Sequence, residues 1–181
     1  MKSCYKSGHH SVLEFADFTF HIEGVSRALT HQLVRHRLAS YAQRSQRYCE
    51  EDGFGYVIPN SIKNNPNALE MYENIMGSLA ESYHALNSNL GIPAEDARMV
   101  LPNACETVIE VKMNFRTLIH FMNERLCTRA QWEIRELANE MLKLCKEVAP
   151  VLFADAGPGC VRGHCPEGEK SCGRGKQHAG I

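Results

Sequence analysis

Phe18, Phe20 and Ile22 alternate with Thr19, His21 and Glu23, a period of two that predicts a strand with one buried face. Gly24 interrupts the alternation and ends the predicted strand. From Val25 the spacing lengthens to Val25, Ala28, Leu29 and Leu33, the stripe of an amphipathic helix. That helix is predicted to run to about Leu38, carrying Gln32, Arg35 and His36 near its C-terminal end. Ala39 to Tyr48 has weak periodicity and reads as loop or extended chain. Tyr56-Val57-Ile58 before Pro59 reads as a short strand or a strand end. Asn65-Pro66 opens the next helix, with proline at the favoured first position; Leu69, Tyr72, Ile75, Met76, Leu79, Tyr83 and Leu86 form its stripe and Gly91 ends it. Pro93 starts a short helix that Pro102 stops.

Thr107, Ile109, Val111 and Met113 alternate again and predict a second strand. Asn114 is placed to cap the helix FRTLIHFMNERL. Thr128 to Gln131 reads as a capping box for a long helix through Ala149, with Trp132, Leu137, Met141, Leu144 and Val148 as its face. Strands separated by helices, with roughly half the chain helical, make an α+β protein in which a helical block lies on a small sheet. After Gly157 the residues turn to Gly, Pro, Cys and charge. The expected organisation is one domain over 1–156 and a tail over 157–181, outside the core.

The 181 residues suffice to bury a core. No apolar run approaches a membrane span, and MKSCYKSGHHS lacks the apolar stretch of a secretory signal. Eight cysteines, five of them scattered singly through regular segments, read as reduced cytosolic thiols and not as a disulfide framework. Charge changes the picture more. The formal net charge is −1, yet Gly24 to Cys49 contains no Asp or Glu while holding Arg27, Arg35, Arg37, Arg44 and Arg47. A general nucleic-acid binder carries its basic excess across a whole face; a local island offset elsewhere fits a small phosphorylated ligand better.

Arginine offers a planar fork that meets phosphate in two hydrogen bonds. On a helix Arg35 and Arg37 would face different sides, which argues for two anions. Ser45 and Arg47, two apart in extended chain, would point the same way and form a phosphate cradle. The other reading is a solvated basic helix end followed by a polar loop. Arg116, His120 and Asn123 share one side of a helix; a histidine between Ile119 and Phe121 also fits a satisfied core position. Arg125 near a helix C-terminus also complements the dipole, and Arg98 beside Glu95 and Asp96 also fits a surface ion pair. Cys160, Cys165 and Cys172, with His164 and His178, are metal-ligand types, but they lack the paired knuckles of a structural zinc site. Two further function classes stay open: a nucleic-acid-binding module that stacks bases on Tyr41 and Tyr48, and a cysteine-rich interaction protein with zinc in the tail.

Arg35-His36-Arg37, followed seven residues later by Ser45, resembles the signature of the flavin-dependent thymidylate synthases. GHHSVLEF at 8–15, FTFHIEGVSRALTHQLVRHRLASYAQRSQRY at 18–48, AR-x-VLP at 97–102, NFR at 114–116 and AQWEIRELA at 130–138 resemble that family in the family's order. The resemblance covers residues 4 to about 154 and implies an α+β homotetramer with active sites where subunits meet. It implies bound FAD and reductive methylation of dUMP to dTMP, with methylenetetrahydrofolate as carbon donor and NADPH as reductant. Carried over by position, it assigns His9, Ser11, Arg35, His36, Arg37, Gln43, Asn114, Phe115, Arg116 and His120 to FAD. It assigns Gln32, Leu33, Val34, Arg35, Gln43, Arg44, Ser45, Gln46, Arg47, Arg98 and Arg125 to dUMP, the two segments coming from different chains. Arg125 would polarise the uracil ring, and Ser45 would orient the nucleotide without attacking it. Two departures stand out. The chain opens where the family has already made its first strand and helix, so part of the sheet edge is expected to be missing. Gln43 stands where many members have Glu.

Overall fold

The computed structural model describes residues 2–161, 163 and 165–177. Its helices are α1 (Lys2–Lys6), α2 (Arg27–Leu33), α3 (Asn60–Lys63), α4 (Pro66–His84), α5 (Ala94–Ala97), α6 (Phe115–Arg125), α7 (Trp132–Val148) and α8 (Pro150–Phe153). Its strands β1 (Asp17–Ser26), β2 (Ser40–Gln43) and β3 (Glu106–Asn114) form an antiparallel sheet in the order β1-β3-β2. The α+β class holds. The chain divides into two compact units. One comprises the residues up to Phe20, Leu33–Ser40 and the chain from Val111 onward; the other comprises His21–Gln32 and Tyr41–Glu110. None of the described helices is long and apolar enough to cross a membrane.

Gly24 does not end β1. It takes φ +67°, and burial passes from Phe20 and Ile22 to Val25, slipping the alternation by one residue as a β-bulge does. Ser26 then caps α2, its Oγ accepting from the Leu29 amide at 3.0 Å. That helix stops at Leu33, five residues short of the predicted end. Past Leu33 the stripe meets His36 and Arg37, so nothing apolar is left to bury, and helices in proteins depend on such burial. Val34 and Leu38 are 41% and 81% exposed.

In the first unit β3 runs directly into α6. The Asn114 side chain accepts from the Thr117 amide at 2.9 Å, and Phe115, Leu118, Ile119, Phe121 and Met122 turn inward. Phe115 packs against Phe18 in a tilted contact and against Phe153 edge-on, with centroids 4.7 and 5.2 Å apart. Packed on α6, α7 is capped by Gln131 itself, whose Oε1 accepts from the Glu133 and Ile134 amides; Thr128 plays no part in the cap. The face α7 buries is Ile134, Ala138, Met141 and Cys145. Of the predicted face only Met141 is buried, and Leu144 and Val148 are exposed. The chain after Gly157 is not wholly outside the core: Cys160 is buried, and Arg129 pairs with Glu167 at 2.8 Å.

In the second unit Asn65 caps α4, accepting from the Ala68 amide. Met76 and Tyr83 are buried, whereas Ile75 of the predicted stripe is 43% exposed. Met76 joins Phe54 and Cys105 in a cluster that Tyr56, Tyr72 and Leu79 flank. Tyr56 forms a single bridge with Cys105 in place of the predicted short strand. Two tyrosine hydroxyls fasten the loop before α4: Tyr83 accepts from the Glu51 amide at 3.1 Å, and Tyr72 donates to the Val57 carbonyl at 2.9 Å. On β1, His21 meets Glu23 at 2.7 Å and also meets Glu110 of β3.

Tyr83→Phe strands the buried Glu51 amide without a partner and is expected to cost about 1–3 kcal/mol. Tyr72→Phe, which frees a half-buried carbonyl, costs less; urea unfolding of the two variants gives the comparison. His21 is raised above its usual 6.5, first by the hydrogen bond to Glu110 and then by that to Glu23. The folded state therefore holds this proton more tightly than the unfolded chain. The advantage is full below about pH 6.5 and fades as pH rises through the folded pKa. The gap in urea midpoint between the protein and His21→Gln should be wider at pH 6 than at pH 9.

Candidate active site

The first unit carries a cleft of about 960 Å³ lined by Glu14, Arg35, His36, Arg37, Leu38, Asn114, Arg116, Thr117 and His120. Three segments supply it: the turn that follows α2, the first turns of α6, and the 3-10 segment His10–Phe15. Because α2 stops early, Arg35 and Arg37 leave it on irregular chain and both reach the cleft, against the expectation that a helix would part them. On α6 the buried apolar face turns Arg116 and His120 outward. His120 is exposed, so it is not a core histidine. Glu14 is the cleft's one acid, and it pairs with Arg116. Among the described residues neither Arg35 nor Arg37 has an ion-pair partner, and the first turn of α6 adds its dipole. The cleft thus carries uncompensated positive charge.

Beside it, Arg125 donates from Nε to His36 Nε2 at 2.9 Å. The His36 ring meets Phe121 edge-on at 5.0 Å and lies 6.2 Å from His120. Burial, then the Arg125 charge, then His120 hold His36 down to about 4. A guanidinium only donates, so His36 is neutral with its proton on Nδ1. Arg125 is half-buried and has no carboxylate partner among the described residues.

Of the residues assigned to flavin by resemblance, Arg35, His36, Arg37, Asn114, Arg116 and His120 come together here. Phe115 does not: its ring lies in the aromatic cluster. His9 and Ser11 are exposed just outside the lining. Glu14, Leu38 and Thr117 line the cleft without having been singled out. Glu14 and Leu38 lie within stretches that resemble the family, GHHSVLEF and the segment over 18–48, but the resemblance assigns them no role, and Thr117 lies just past the NFR stretch.

The residues assigned to the nucleotide fall in both units. Leu33 is fully buried and offers no side chain to a ligand. Gln43 donates to Thr30 Oγ1 at 3.0 Å and Thr107 Oγ1 at 3.4 Å. Gln46 is buried against Cys105. Ser45 begins a turn, its Oγ accepting from the Arg47 amide at 3.2 Å, so Ser45 and Arg47 are not on extended chain. Arg44 reaches the Glu50 carbonyl and the Glu51 carboxylate. Arg47 and Arg98 converge on Glu95, one on its carboxylate at 3.3 Å and the other on its carbonyl at 3.0 Å. Burial lowers the pKa of Arg27, and the charge of Arg98 lowers it further.

Tyr41 is half-buried, its hydroxyl pushed up to about 12 by burial, and the Arg47 guanidinium lies 5.3 Å from the Tyr48 ring. Among the described residues no three His, Cys, Asp or Glu side chains are grouped to hold a metal. Cys160 and Cys165 both lie close against Gly175, and the exposed Cys172 thiol is brought down to about 7 by Thr128 and then Arg174. His164 and His178 lie outside the described residues.

Comparison with known proteins agrees with this chemistry. The family model described as "Thymidylate synthase complementing protein" matches residues 1–151. A "Flavin-dependent thymidylate synthase" of Geobacter sulfurreducens is 59% identical over 169 residues, 92% of this chain and 72% of that protein. One of Clostridium tetani is 51% identical, over 92% of this chain and 73% of its own. One of Pyrococcus furiosus is 48% identical, over 88% and 69%. With the match spanning both units and the cleft, the chain belongs to the thymidylate synthase complementing protein family, that of the flavin-dependent thymidylate synthases.

Proposed function

We propose that this protein is a flavin-dependent thymidylate synthase that converts dUMP to dTMP by reductive methylation. Methylenetetrahydrofolate gives the carbon and NADPH the reducing equivalents. The observation that carries the reading is a cleft in which two arginines have no ion-pair partner among the described residues while a third cation, Arg125, is held beside it by a neutral histidine. Such a site takes an anionic, ring-bearing ligand.

The residues present fit FAD. Arg35 and Arg37 present forks to a pyrophosphate, the α6 N-terminus favours the same charge, and Asn114, Arg116 and His120 offer polar contacts further along the cleft. When bound, the flavin supplies the redox and one-carbon chemistry of the reaction. The chain's own residues bind, orient and stabilise charge. Arg125 sits beside the uracil and favours the negative charge that develops on the ring as it is attacked. Arg47 and Arg98 meet the nucleotide phosphate, exchanging Glu95 for it. Ser45, already folded into its turn, positions the nucleotide. The segments over 32–35 and 43–47 act from different chains of a homotetramer working in the cytoplasm.

Arg125→Ala should leave the fold and the flavin absorbance intact while dTMP formation falls by about 10²–10³-fold, the usual loss for one such electrostatic donor. Arg125→Lys should recover little, since a point charge on a flexible stem does not reproduce the fork. Arg37→Ala should lower flavin occupancy itself. A purified protein that binds no flavin, or an Arg125→Ala variant that turns over normally when saturated with it, overturns the corresponding part of this reading.

A further inference from the structure

The contact between Arg125 and His36 joins two residues far apart in sequence, and its chemistry is specific. A half-buried guanidinium ordinarily gains a carboxylate partner, which fixes its orientation and also cancels most of its charge. Here the fixing partner is an uncharged imidazole. Arg125 spends Nε on His36 Nε2 at 2.9 Å, and among the described residues its two terminal nitrogens make no hydrogen bond. The ring is itself held: Phe121 and Arg125 lie four apart on α6, on one side of the helix, and the ring lies edge-on to Phe121, 5.0 Å between centroids.

We infer that His36 is the positioning residue for Arg125, fixing the rotation of the guanidinium through Nε so that its two terminal nitrogens face the pyrimidine. A neutral acceptor does this without subtracting from the positive field that Arg125 applies. His36 thereby has a second task besides touching the flavin, and the inference rests on the proposed function for the identity of the ring that Arg125 faces. The turn after α2 enters the argument as well. Had α2 continued to Leu38, His36 would be fixed in direction by helix geometry; on irregular chain it is free to meet α6.

The test separates ring from acceptor. His36→Phe keeps an aromatic group against Phe121 and removes the acceptor. His36→Gln puts its Oε1 near the place of Nε2. Each is read at saturating flavin, with occupancy measured by absorbance. His36→Phe is expected to lose kcat by about a hundredfold, the scale of a misplaced catalytic group, and His36→Gln to recover most of it. The double variant His36→Phe/Arg125→Ala should be no slower than Arg125→Ala alone, because the two act as one unit. Losses that multiply in the double variant, or normal turnover by His36→Phe, overturn the inference.

A second readout needs no turnover. The imidazole nitrogen signals of His36 in the ligand-free protein should show the Nδ1–H tautomer at pH 7, and Arg125→Ala should abolish that preference. An Nε2–H tautomer in the unaltered protein overturns the pairing whatever the enzyme does. A chain that holds flavin and forms no dTMP counts against the proposed function, while the tautomer still decides the pairing.

Discussion

Asn114 is the last residue of a strand and the cap of a helix, and the position of that switch sets the phase of everything α6 presents. With the cap at Asn114, the aromatic and aliphatic side chains from Phe115 to Met122 turn into the core. Arg116 and His120 then face the cleft, and Arg125 comes to the side where His36 stands. A helix advances 100° per residue, so a cap one residue later would turn a different set of side chains outward. The phase is held twice, by the hydrogen bond to the Thr117 amide and by the ring of Phe115 locked among Phe18 and Phe153.

Charge is the second organising constraint. Arg35 and Arg37 stand near one another with no acid beside them, an arrangement that repels. Glu14, the one acid in the lining among the described residues, is committed to Arg116. The lining therefore carries a net positive charge among the described residues, and any anion that bound the folded chain there would stabilise it. The cationic segment of the second unit is treated differently. Arg44 and Arg47 are engaged by Glu51 and Glu95, so the positive charge of those side chains is compensated within the unit.

Much of this was legible in the sequence, for identifiable reasons. Strict alternation marks β1 and β3 because each has one buried face. Asn65-Pro66 and Asn114 mark helix starts because caps are local chemistry. The family resemblance singled out Arg35, His36, Arg37, Asn114, Arg116 and His120, which line one cleft, and the helical period on α6 gave the common side of Arg116 and His120. What the sequence hides is which apolar residues find a partner. On α7 two apolar stripes compete, and only packing against α6 selects Ile134, Ala138, Met141 and Cys145 over Leu144 and Val148. Leu38 lengthens the apparent stripe of α2 but is 81% exposed. Two apolar neighbours favour a core position for His120, yet it is exposed, since linear neighbours on a helix face different directions. The contact between His36 and Arg125 spans 89 positions, and no local pattern announces it.

The bulge at Gly24 carries a consequence for how this chain tolerates change in length. It adds one residue to β1 and so brings Val25 back to the buried side after Phe20 and Ile22, from which Leu29 and Leu33 follow inward. Every position from the strand to the Arg-His-Arg segment is counted from that extra residue. An insertion or deletion of one residue between Phe20 and Leu33 would turn one of the two apolar sets toward water. Side chains in this stretch can vary in kind, but the number of residues from Phe20 to Leu33 is fixed by the two buried sets it must serve.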